Sequence, residues 1–124
     1  MAPGIGSARM AKVLLLCMFV LHSDMAYAAI HRVGDAAGWT FQVTNWPNGK
    51  QFMSGDILVF NYAVGAHNVV VVNRAGYQTC STPPGSKVYV SGNDRITLTK
   101  GLNYFICNFP GHCEGGMKIA VNAI

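Results

Sequence analysis

From residue 29 onward the sequence has no sustained helical period, no internal repeat and no low-complexity tract, which leaves no basis for a helical bundle, a solenoid or a disordered linker. It lacks any apolar run approaching the roughly 20 residues that a membrane-crossing helix needs. There is no Asn-x-Ser/Thr sequon in the same stretch, so N-linked sugar is not expected. Charge is sparse as well: 5 Asp and Glu face 9 Lys and Arg, a net of +4. The cations are scattered rather than clustered, which speaks against nucleic acid as a partner, although a mildly basic surface suits loose association with an anionic cell-wall polysaccharide.

The longest apolar segment lies ahead of this region. Arg9 and Lys12 precede an unbroken apolar stretch from Val13 to Leu21, and Ala26-Tyr27-Ala28 supplies the small residues of a cleavage site. These are the three parts of a secretory signal peptide, residues 1–28, and the apolar stretch is too short for a membrane span. Removing 28 of the 124 residues leaves 96, from Ala29 to Ile124, enough for one modest domain in a secreted protein. The leader takes Cys17 with it, and the cysteines that stay, Cys80, Cys107 and Cys113, are an odd number. In an oxidising compartment two of them are expected to pair, leaving one thiol for another task. Of the six methionines only Met53 and Met117 remain.

Short segments rich in Val, Ile, Tyr, Phe and Thr then read as strands at residues 29–33, 57–62, 67–73, 87–91, 95–100, 103–107 and 117–122. Turn residues divide them, among them Pro47-Asn48-Gly49, Pro83-Pro84-Gly85 and Gly115-Gly116, at the intervals of an all-β sandwich or barrel. Side chains two apart share a face of a strand. That parity puts Met117 with Ile119 and Val121, Cys107 with Phe105, and His67 with Val69 and Val71. Three groups able to bind a metal therefore sit on apolar faces at strand ends. Trp39, Tyr62 and Phe105 are assigned to the core.

Cys107, His112 and Met117 are spaced five and five around Pro110-Gly111 and Gly115-Gly116, so one loop can present a thiolate, an imidazole and a thioether. His67, at the head of the apolar run His-Asn-Val-Val-Val-Val, is the best candidate for a fourth ligand; His31 has no such setting. Taken singly, His67 reads more readily as a core histidine and Met117 as a gap-filler. Taken together, two imidazoles, a thiolate and a weak thioether are the ligand set of a blue-copper electron-transfer site. Four protein ligands leave no open position for substrate, which argues against an enzyme.

These residues make the region after the leader resemble the phytocyanin family of plants, and within it the plantacyanin or basic blue branch. The matching stretches are Val33 to Thr40, His67-Asn68, Tyr77 to Pro83 around Cys80, and Cys107 to Met117, and the resemblance covers essentially all 96 residues. It implies a cupredoxin-like Greek-key β-sandwich of about seven or eight strands that holds one type 1 copper ion at His67, Cys107, His112 and Met117. It implies a disulfide between Cys80 and Cys113, support of the site by Asn68, and an electron path through His112 as the exposed ligand. An apolar rim of Phe109, Pro110 and Gly111 would meet a redox partner. Stellacyanin-like relatives carry Gln where this chain has Met117. The sequence ends at Ile124 without a Pro-rich stalk or hydrophobic tail, so no membrane anchor is expected, and a monomer is the default.

Other readings stay open at this stage. A structural zinc site could use Cys80, Cys107, His112 and Cys113, although Cys-x-x-Cys spacing is missing. Trp39 and Trp46 could form a sugar platform, but lone aromatics in a small sandwich are more often core. An extracellular recognition or signalling protein with a structural copper site is the alternative to an electron carrier.

Overall fold

The computed structural model describes residues 27–124; apart from Tyr27 and Ala28, the expected leader lies outside the described residues. Seven strands form: β1 (Ile30–Arg32), β2 (Ile57–Asn61), β3 (Val69–Val72), β4 (Lys87–Tyr89), β5 (Asn93–Thr97), β6 (Gly101–Ile106) and β7 (Lys118–Ala123). They build a three-stranded sheet in the order β1-β2-β5 and a four-stranded sheet in the order β4-β3-β6-β7. β1 runs parallel to β2 and every other pair is antiparallel. The chain changes sheet between β2 and β3, between β4 and β5 and between β5 and β6, the crossings of a Greek-key sandwich.

The alternation read from the sequence is the alternation of the fold. On β5, Ile96 is buried with Leu98 just beyond it, while Thr97 and Thr99 face water. Trp39, Leu58, Phe60, Val69, Phe105, Cys107, Met117, Ile119 and Val121 meet between the sheets. Each large apolar side chain removed from water there contributes about 1.5–3 kcal/mol. Trp39 is fully buried and its indole Nε1 donates to the Asn68 carbonyl at 2.9 Å. Tyr62, expected in the core, is only half-buried: its hydroxyl keeps polar partners in the Asp94 carboxylate and the Tyr89 carbonyl. Trp46 sits at the margin, with its Nε1 on Asp35 and Lys50 over its ring.

A second, smaller cluster lies on the opposite face of the four-stranded sheet, where Val70, Val72, Ile106 and Cys113 pack with Tyr77, Cys80 and Tyr104. It is covered by an element absent from the sequence-based reading, the helix α1 (Arg74–Thr79). Asn73 starts this helix by accepting a hydrogen bond from the Gly76 N–H at 2.8 Å, and Cys80, in the left-handed region at φ 53°, ends it. Six residues are too few for helical periodicity to show.

Between β1 and Trp39 the chain makes a single 3-10 turn, Asp35–Ala37, closed by the Ala37 N–H on the Gly34 carbonyl and the Gly38 N–H on the Asp35 carbonyl. Gly34 has φ +78°, and a Cβ there would overlap the Gly38 carbonyl oxygen. Gly49 has a similar φ of +76° but open space around it. Gly34→Ala is therefore expected to cost roughly 3 kcal/mol or more in denaturant unfolding, whereas Gly49→Ala should cost only the left-handed penalty of about 1–2 kcal/mol.

Candidate metal centre

Strand direction brings the ligand candidates to one pole of the sandwich. Val70 of β3 pairs with Ile106 of β6, and Ile106 pairs with Lys118 of β7. Because both pairings are antiparallel, the entry to β3, the exit of β6 and the entry to β7 lie side by side. His67 stands two residues before β3, Cys107 directly follows β6, and Met117 directly precedes β7. The expected strands 67–73 and 117–122 are thus displaced slightly, with His67 and Met117 just outside the regular pairing.

His67, Cys107 and His112 form one cluster whose possible ligand atoms all lie within 4.8 Å of one another. The Nδ1 atoms of His67 and His112 are 3.0 Å apart, and the Cys107 Sγ is 3.5 Å from Nδ1 of His112. The two nitrogens are close enough to share one hydrogen bond or to face a bound cation together. Burial, and then the charge of His112, lowers the pKa of His67 from its ordinary value; this favours the neutral imidazole that ligation requires. Cys107 is the free cysteine of the described residues and has no solvent exposure. A soft buried thiol beside two imidazoles, with the fully buried thioether residue Met117 next to them in the chain fold, fits one type 1 copper ion.

The loop from Cys107 to Met117 is laced by its own backbone. Cys107 N–H donates to the Met117 carbonyl, Met117 N–H to the His112 carbonyl and His112 N–H to the Phe109 carbonyl, each at 3.0 Å. Asn68 supports it from the residue just before β3: its backbone N–H points at the Cys107 Sγ at 3.5 Å, and its side chain forms a reciprocal pair with Asn108. In that pair Asn68 Nδ2 donates to Asn108 Oδ1 at 2.6 Å and Asn108 N–H donates to Asn68 Oδ1 at 3.0 Å. Asn108 in turn donates to Thr82 Oγ1 at 3.1 Å. Cys80 and Cys113 form a disulfide with Cα atoms 5.6 Å apart, so they do not join Cys107 and His112 in the zinc set considered from the sequence. His31 lies elsewhere, bound to Asp56.

The surface around the imidazoles is aromatic. Phe109 is half-buried, with its ring centroid 5.5 Å from that of His112, and Pro110 and Gly111 are exposed beside it. Phe41, which the sequence did not single out, lies 4.8 Å from His112 and 5.7 Å from His67, ring to ring, and is 44% exposed. It is carried there by residues 41–43, whose backbone docks on the ligand loop: Gln42 N–H donates to the Gly115 carbonyl at 3.1 Å and Val43 N–H to the Gly116 carbonyl at 3.0 Å. Gly116, at φ +91°, permits this approach, since a Cβ would stand 2.8 Å from the Gln42 nitrogen. The Gly115-Gly116 pair was the available signal, because paired glycines mark close backbone approach as well as turns.

Residues 39–117 match the family model described as a plastocyanin-like domain. The chain is 53% identical to chemocyanin of Lilium longiflorum, over 99% of each chain. It is 62% identical to the basic blue protein of Cucumis sativus over 96 residues, which are 77% of this chain and all of that one. The solved structure of the cucumber basic protein, a blue copper protein, matches with a TM-score of 0.77. Spinach plantacyanin matches with a TM-score of 0.71 at 56% identity, again over 77% of this chain and all of its own.

The disulfide closes 33 residues of chain and anchors the residue after His112. Replacing both cysteines by Ala is expected to lower the unfolding free energy by about 3 to 4 kcal/mol, measured by urea denaturation of the copper-loaded protein and its double variant.

Proposed function

The chain belongs to the plastocyanin-like phytocyanins, the blue copper proteins of plants, and from that membership we propose that His67, Cys107, His112 and Met117 bind one copper ion in a carrier of single electrons. The convergence of His67, Cys107 and His112 is the observation that carries this reading. Bound copper supplies a one-electron Cu(I)/Cu(II) couple, and everything else falls to the protein. Cys107 and His67 are held by the Asn68–Asn108 pair, and His112 by its own loop bonds and by its covalent neighbour Cys113. Ligands that cannot relax toward either oxidation state keep reorganisation small. With four protein ligands no position is left for a substrate, so the protein is a carrier and not an enzyme.

A partner would meet the rim of Phe109, Pro110 and Gly111, enlarged by Phe41. Such a patch suits a brief encounter. Residues 1–28 act as a secretory leader, residues 29–124 are the working domain, and the site of action is the extracellular matrix or cell wall. No helix among the described residues is long and apolar enough to cross a membrane.

One surface favours a second role. Arg32 and Arg95 are exposed on the outer face of the three-stranded sheet, each a register partner of Val59, with Asn61 and Asn93 beside them in one polar groove. Among the described residues neither guanidinium has a carboxylate partner, so the pair is free for an anionic wall polysaccharide. Extracellular recognition would then accompany or replace electron transfer in the biology.

Copper-loaded protein should show an intense visible thiolate-to-copper band and small hyperfine splitting by electron spin resonance, both lost in Cys107→Ser. A colourless protein that prefers zinc would overturn the electron-carrier reading. Salt-dependent retention on a polygalacturonate column, lost in Arg32→Ser/Arg95→Ser with the blue band intact, would be the signature of the second role.

A further inference from the structure

Asp56 is a buried carboxylate, 5% exposed, that accepts three hydrogen bonds in a region remote from the metal candidates. His31 Nε2 lies 2.9 Å from Oδ2, the Met53 N–H donates to Oδ2 at 3.0 Å, and the Ala29 N–H donates to Oδ1 at 3.1 Å. The third donor is special because of where it stands in the chain. Ala29 is the first residue after the expected cleavage point, and the 96 residues over which the whole cucumber relative matches equal the count from Ala29 to Ile124.

We propose that release of the leader at the Ala28–Ala29 bond turns this third donor into an α-ammonium, and that Asp56 is the built socket that captures it. The proposal rests on the leader reading above. Hydrolysis consumes one water: Ala28 departs as a carboxylate, and the Ala29 nitrogen keeps the electron pair of the broken C–N bond and takes protons to become –NH3+. A hydrogen bond in which only the carboxylate is charged thereby becomes one with charge on both partners, an ion pair as well as a hydrogen bond. The socket needs no rearrangement, since the nitrogen already stands at hydrogen-bond distance.

The surroundings agree. Tyr27 and Ala28 line a groove with Met53, Ser54, Gly55 and Asp56, and both leave with the leader. Asp56 is charged and ready: burial pushes its pKa up, but the hydrogen bonds from His31, Met53 and Ala29 outweigh this and hold it below the ordinary carboxylate value. His31 is the other titratable group on the carboxylate, with its Nε2 2.9 Å from Oδ2. The strand that benefits is β1, three residues long and at a sheet edge, whose register with β2 begins at the Ile57 N–H on the Ala29 carbonyl at 2.9 Å. A short parallel edge strand has few bonds of its own to hold it, so a clamp on Ala29, the residue just before it, helps keep it paired. Processing thus completes the fold as well as trimming the chain.

The test uses copper-loaded 29–124 with a free Ala29 amine beside the same protein Nα-acetylated, each with Asp56 and with Asp56→Asn. Acetylation should lower the Tm by about 5 °C when Asp56 is present and leave the Asp56→Asn protein unmoved. Equal Tm loss in both backgrounds, or none in either, overturns the socket. Should Asp56→Asn fail to fold, the α-amine of the unmodified protein is titrated by NMR. A pKa above the ordinary 7.7–8.0 of a terminal amine supports the pair, and a value within that range overturns it. A raised folded-state pKa also means stability present below pH 8 and lost as pH rises through the shifted value. N-terminal sequencing of the protein secreted from the full chain separates the two layers. A terminus other than Ala29 removes the leader reading and the proposal with it, while Ala29 with an unshifted amine removes the socket alone.

Discussion

Everything at the metal candidate depends on β6 being paired on both sides. Its antiparallel partners β3 and β7 enter the sheet where β6 leaves it, so the residues before β3, after β6 and before β7 are neighbours by topology alone. A register slip of one residue in either pairing would carry Cys107 or Met117 to the other face of the sheet, because side chains alternate with a period of two. The apolar partners on the same parity, Phe105, Val69, Ile119 and Val121, make such a slip costly, since each would leave the core. The hydrophobic pattern thereby fixes the position of groups whose chemistry has nothing hydrophobic about it.

Pairing brings the strand ends together, but the loop between Cys107 and Met117 still has to be held. Three independent restraints act on it. Its backbone bonds close it on itself, the Asn68–Asn108 pair ties its start to the entry of β3, and residues 41–43 lie along its last turn. The disulfide adds a covalent tether beside His112. These restraints come from four separate parts of the sequence, so the loss of any one leaves the others in place. Rigidity of this kind belongs to the fold before any ion binds, and it is what a metal ligand set needs if its geometry is to follow the protein rather than the ion.

The strands were legible because period-two alternation and turn residues are local signals, and each expected segment overlaps an observed strand. Cys107, His112 and Met117 were legible because a single loop carries them at fixed spacing, and His67 because it heads an apolar strand. What escaped was nonlocal or too short. Asn108 matters through a side chain 40 residues away, and Phe41 through a backbone approach that two glycines only permit. Helix α1 has fewer than two turns, and its stop is a cysteine whose left-handed conformation is tied to a disulfide. Tyr62 was read as core from its strand, yet its hydroxyl keeps it at the margin with Asp94, a polar requirement that alternation does not express.

The sandwich has its free thiol and its disulfide on opposite sides of one sheet: Cys107 faces the space between the sheets, whereas Cys80 and Cys113 pack beneath α1 on the far side. Thiol–disulfide exchange requires a thiolate to approach a sulfur in line, and here the thiol and the disulfide are buried in separate clusters. In an oxidising compartment the folded chain is therefore insulated against scrambling, although Cys107 and Cys113 are only six residues apart in sequence. The vulnerable interval is folding itself, when that short spacing makes the wrong pair easy to form. Order of events then matters: once β6 and β7 zip, the sheet sorts the three sulfurs into one that is kept reduced and two that are free to join.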